Sequence, residues 1–124
     1  MSAILNLPMK KKWFDMVLSG EKRQEYRLCK PYWDTRIRNW ISANIPDHAG
    51  KNRVILCLDK ERDGERRLPI RFFCGYKKDA PWFIGYCYWV EIRSIGLQEQ
   101  WGEGEYQSIP HYALHLGHID RKGN

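Results

Sequence analysis

Residues 82–92 constrain the fold more than any other stretch of the chain. They alternate as a β-strand does, with Trp82, Ile84, Tyr86, Tyr88 and Val90 on one side and Phe83, Cys87 and Trp89 on the other. Both sides are bulky, so neither suits a solvent-facing surface, and the strand is expected to be central in its sheet. Gly85 interrupts the second side, where a bend or bulge of the kind that closing barrels need is expected.

The remaining elements follow from spacing. Residues 3–7 read as a first strand, and Pro8 as a residue near the first turn of a helix whose apolar positions Met9, Trp13 and Val17 recur at i, i+4 and i+8. Gly20 falls just past that helix, where a residue tolerant of positive φ is needed. Pro31 opens a second helix with Trp33, Ile37, Trp40 and Ile41 on its stripe, followed by a loop over residues 44–52. Residues 53–58 read as a buried strand, and Asp63-Gly64 as a hairpin turn into a strand at about residues 67–74, where Pro69 marks an edge at its start. Residues 98–110 read as an irregular excursion, and Tyr112, Leu114 and Leu116 as a last strand. The expected architecture is α+β: a small mixed β-barrel with two early helices. Trp13, Val17, Trp33, Ile37, Val54, Leu56, Tyr88 and Val90 are expected in one core.

A chain of 124 residues suits one domain, residues 1–124, with a core that needs no staples. No run of about 18 apolar residues is present, which reads as a soluble cytoplasmic protein without a membrane partner. Cys29, Cys57, Cys74 and Cys87 are widely separated and are expected as buried thiols. The net charge of +6 is uneven, for residues 1–78 carry 18 Lys or Arg against 9 Asp or Glu, whereas residues 79–124 carry 3 against 6. That asymmetry favours a polyanionic partner, with nucleic acid ahead of a membrane surface. Protein partners leave no signal.

Residues 19–27 combine a helix stop, three basic side chains and two carboxylates. With residues 23–28 extended, Glu25 and Arg27 share one face about 6.6 Å apart, with Lys22 at its mouth. Such a group would serve equally as a salt-bridged brace between turn and barrel rim.

The pattern Gly20-x-Lys22-x-x-Glu25-x-Arg27, after a helix ending in Leu18-Ser19, resembles the signature of the ASCH domains, a branch of the PUA-like β-barrel superfamily. The opening Leu5-x-Leu7-x-Met9 and the late Leu114-His115-Leu116-Gly117 are also similar to that family. The resemblance implies a PUA-like barrel that binds RNA or a nucleotide, with Lys22 and Arg27 on phosphate or base oxygens and Glu25 accepting from a base edge. Some relatives hydrolyse RNA. Others are nucleoside amidohydrolases that use a Lys, a Thr three residues later and a distant Glu. Lys22 matches that set, Glu25 stands in the Thr position, and Glu99, Glu103 or Glu105 would supply the distant acid. Lys22 and Glu25 are therefore the candidate catalytic pair, in an alternative reading as a hydrolase of RNA or of an acylated cytidine.

Further ligand-binding candidates are Lys10, Lys11 and Lys12, a cationic run placed against the helix dipole, and Tyr32, Tyr76 and Trp82, aromatics near loops that suit base stacking. His111, His115 and His118 resemble a metal box, but on a strand His115 and His118 face opposite ways and His111 and His115 lie about 13 Å apart, so no metal is expected. No serine nucleophile motif, dinucleotide fingerprint or phosphate loop is present, and no cofactor is expected.

Overall fold

The computed structural model describes residues 3–45, 56–57, 68–96 and 108–120. Among them lie β1 (Leu5–Met9), α1 (Lys11–Ser19), β2 (Gln24–Leu28), α2 (Pro31–Asn44), β3 (Leu56–Cys57), β4 (Pro69–Cys74), β5 (Trp82–Gly96) and β6 (Ser108–Asp120). One mixed sheet runs β1-β4-β5-β6-β2, with β3 paired to β5 off that path, and it curls into a half-barrel. The α+β class with two early helices is as expected, and so is the central place of β5, which pairs with β3, β4 and β6.

Pro8 is not helical. It lies in β1, a strand at the end of the sheet path, where a residue without an N–H removes no bond on the side that pairs with no described strand. Met9 goes with it, buried in the strand, and α1 starts only at Lys11. Gly20 does close α1 in the left-handed region, at φ 89°, donating to the Val17 carbonyl at 3.1 Å. Pro69 faces only β5 at the start of β4, since β1 pairing begins at Ile70. Its carbonyl instead accepts the Trp40 indole N–H at 2.9 Å, which ties α2 to the sheet.

The register of β5 against β6 shifts on both sides of Cys87. Tyr88 is an extra residue opposite β6, so the inward series runs Phe83, Cys87 and then Val90 rather than keeping strict alternation. Val90 therefore does not share a face with Ile84 and Tyr86, and Tyr88 is half-buried outside the apolar cluster. Gly85 lies beside this irregularity, and a Cβ there would stand 2.9 Å from both Ile119 Cδ1 and Phe72 Cε2.

The core joins Leu5, Leu7, Phe14, Val17, Ile37, Trp40, Ile41, Phe72, Phe83 and Val90 with Tyr112 and Leu114. Trp13 and Trp33 pack against it half-buried, while Val54 and the Leu56 side chain lie outside the described residues. The same holds for the expected hairpin at Asp63-Gly64 and for the loop after residue 45. The last strand is longer than its alternation suggested, taking in residues 108–110 of the expected excursion. Cys87 is buried, but Cys29 and Cys74 are only half-buried, and none of the three is in a disulfide; the Cys57 side chain lies outside the described residues. No helix among the described residues is long and apolar enough to cross a membrane.

Candidate functional site

β1 and β2 end the sheet path, and the interval between them is the seam of the half-barrel. A cleft of about 390 Å³ lies there, lined from β1 by Pro8 and Met9, from α1 and its start by Lys10 and Trp13, from β2 by Glu25, Tyr26 and Arg27, and by Lys22, Gly75 and Tyr76. That volume falls in the lower part of the range of roughly 300–1,000 Å³ usual for small-ligand sites, so it suits one nucleotide-sized group rather than a duplex.

The floor of the cleft is built by a turn and a strand. The Lys22 main-chain N–H donates to the Met16 carbonyl at 2.9 Å, which folds the residue back against the end of α1. The extended β2 then places Glu25 and Arg27 on one face. Lys22 Nζ donates to Glu25 Oε1, and Arg27 donates to Glu25 Oε2, so each carboxylate oxygen holds one cation. Glu25 is only 6% exposed. A carboxylate so buried requires this pairing, because an isolated ion there would be strongly disfavoured.

Both cations also lie over aromatic rings. Lys22 is 5.9 Å from the Trp13 ring and 5.6 Å from that of Tyr26, and the Arg27 guanidinium is 5.3 Å from Trp33. Arg27 donates further to the carbonyls of Tyr26 at 2.8 Å and Pro8 at 3.3 Å. Tyr26 stays a neutral phenol, its pKa raised mainly by burial, and its hydroxyl donates to Gln24 Oε1 at 3.2 Å. Among the lining residues three cations, Lys10, Lys22 and Arg27, face one carboxylate. The cleft combines a cationic floor with aromatic walls.

The sequence-derived candidates divide accordingly. Lys10, Lys22, Glu25, Arg27 and Tyr76 line the cleft. Lys11 is instead paired with Asp15 at 2.7 Å on the exposed side of α1, and Lys12 lies over Trp13 at 4.9 Å without lining the cavity. Trp82 is half-buried under the Arg71 guanidinium at 4.9 Å. Tyr32 faces a separate groove between β1 and α2. Glu99, Glu103 and Glu105 lie outside the described residues.

Two wall residues escaped the sequence reading. Trp13 reads as core because it sits on the apolar stripe of α1, yet it is half-buried and its remaining surface forms a wall. Tyr26 alternates away from Glu25, but on an edge strand its ring turns into the seam. The Lys-rich run next to Trp13 was the available signal.

The histidines lie elsewhere, on β6. His115 Nε2 is 2.7 Å from Glu91 Oε2 with the Trp89 ring stacked on it at 4.1 Å, and His118 Nε2 is 2.6 Å from Asp120 Oδ1. Among the described residues no group of three or more His, Cys, Asp or Glu is placed to hold a metal ion. In comparisons with known proteins, no family model, no curated protein and no solved structure matches this chain.

Proposed function

We propose that the chain is a cytoplasmic RNA- or nucleotide-binding module, a PUA-like barrel of the ASCH type, whose ligand enters the seam cleft. The observation that carries this reading is the buried Glu25 holding Lys22 and Arg27 at the floor of a cavity walled by Trp13, Tyr26 and Tyr76. Fixed cations suit a phosphate or base oxygen, and the rings suit a base face. Cys29, Cys74 and Cys87 as thiols rather than disulfides suit a reducing compartment.

The test is titration of a fluorescent single-stranded RNA and of mononucleotides at several salt concentrations. Affinity is expected to fall as salt rises, since Lys10, Lys22 and Arg27 would release counterions from phosphate. Lys22→Ala is expected to weaken binding on the order of tenfold, the loss of one charged hydrogen bond. Absence of binding at low salt for every RNA and mononucleotide tried would remove the reading.

A second reading draws on the Lys22 and Glu25 pair itself. A carboxylate and an ammonium joined inside a cleft can act as an acid-base couple, as hydrolysis of RNA or of an acylated cytidine would need. The binding reading is preferred because both Glu25 oxygens already accept from cations, which suits positioning those cations more than taking a proton from a substrate.

A further inference from the structure

We propose that the groove between β1 and α2 is a second nucleotide subsite, in which single-stranded RNA leaving the cleft stacks its next base on Tyr32. This rests on the reading of the cleft given above. The groove encloses about 600 Å³ and is lined by Asn6, Pro8, Tyr32, Thr35, Arg36 and Asn39, among others.

Three observations converge. Tyr32 is 55% exposed, on the side of α2 away from the buried Ile37, Trp40 and Ile41, and the Arg36 guanidinium lies 4.1 Å from its ring centroid. Trp33 also meets the ring edge-to-face, at 5.0 Å between centroids, so Arg36 and Trp33 hold it in place while more than half of its surface stays exposed. A ring so fixed is a platform on which an unpaired base stacks, with the cation available to the adjoining phosphate. Asn6, Thr35 and Asn39 add donors and acceptors for a base edge, and no carboxylate is among the described residues that line the groove.

The groove adjoins the cleft at Pro8, which lines both. Leu5 borders the groove and Met9 the cleft, about 13 Å apart along the rise of β1, a span that a short single strand can bridge. A peptide adding to the edge of β1 that pairs with no described strand fits less well. Pro8 has no N–H to offer, and its carbonyl is taken by Arg27.

The experiment compares a mononucleotide with a single-stranded hexaribonucleotide on the wild-type protein and on Tyr32→Ala, Tyr32→Phe and Arg36→Ala. The hexamer should bind more tightly than the mononucleotide. Tyr32→Ala should weaken the hexamer on the order of tenfold, Tyr32→Phe should leave it unchanged, and mononucleotide affinity should be the same in all four proteins. Hexamer affinity that ignores Tyr32→Ala, or that equals mononucleotide affinity in the wild type, overturns the second subsite while the cleft stands. Loss of mononucleotide binding alone, with the hexamer still dependent on Tyr32, overturns the cleft reading instead. Tyr32 lies on the surface, and circular dichroism of each variant confirms that folding is retained.

Discussion

Arg27 donates to the Pro8 carbonyl at 3.3 Å, a single side chain joining the two strands that end the sheet path. The main chains of β1 and β2 are not paired with each other, so this contact stands where a closed barrel would have a ladder. The same guanidinium holds Glu25 and lies over Trp33, so it links seam, cleft and α2.

Removing it should therefore destabilise the fold. Arg27→Ala leaves one oxygen of a buried carboxylate without its cation, an expected loss of about 2–3 kcal/mol, less than for a wholly unpaired charge because Lys22 remains. Arg27→Lys keeps the charge but not the fork that reaches both Glu25 and Pro8, and should lie between the two. Urea denaturation of the three proteins measures both differences, and equal midpoints would show that the seam contact carries no stability.

Glu25→Gln separates binding from catalysis. In a binding cleft Gln keeps the side-chain shape and one acceptor oxygen; its NH2 cannot accept from the second cation, which is released to the anionic ligand as repulsion is relieved, so affinity for RNA should hold or rise. In an enzyme the proton-transfer group would be lost, and rates should fall by about 100- to 10,000-fold while substrate still binds. Hydrolysis of short RNAs and of acylated cytidine, compared at matched saturation, decides between them. We expect the same background rate in wild type and variant.

Gly85→Ala should destabilise the protein by about 1–3 kcal/mol, because the new methyl would meet Phe72, a fully buried ring, and Ile119 at 2.9 Å. Thermal melts can be read against Gly20→Ala, where no atom lies within 4 Å of a Cβ but φ is positive. Gly85→Ala acts by overlap and Gly20→Ala by backbone strain. Shortening Ile119 to Val in the Gly85→Ala background should recover part of the former loss.

The Tyr112 hydroxyl donates to Asp34, fastening β6 to the first turn of α2. Burial, then that hydrogen bond and the charge of Asp34, raise the Tyr112 pKa above its ordinary 10.0. Tyr26 is raised as well, chiefly by burial. Above pH 10 the unfolded chain releases phenolic protons that the folded chain retains, so it binds fewer protons and stability falls as pH rises. Denaturation at pH 9, 10 and 11 should show this decline. Tyr112→Phe should make it shallower, whatever it costs near neutrality; an unaltered slope would show that Tyr112 does not contribute.

Much of the site's local order was legible beforehand. Gly20 ends α1 as its position required, and the two-residue period of β2 set Glu25 and Arg27 on one face, because φ preferences and side-chain alternation act within a few residues. The stripe of α2 was legible for the same reason, with Ile37, Trp40 and Ile41 buried as spaced. Other features depended on partners distant in the chain. Pro8 is a strand residue because β4 pairs with β1 on one side and, among the described residues, no strand pairs on the other, and no neighbour in sequence carries that information. Val90 turns inward because the register with β6 shifts beyond Cys87, a choice made by packing between strands. The chain by itself thus determined where α1 stops, which positions of α2 turn inward and which charges of β2 share a face. Only the tertiary structure decided that β1 and β2 would border a seam, that Trp13 and Tyr26 would wall it, and that Tyr32 would stand in a different groove, since sheet order and edge positions arise from long-range pairing rather than from local periodicity.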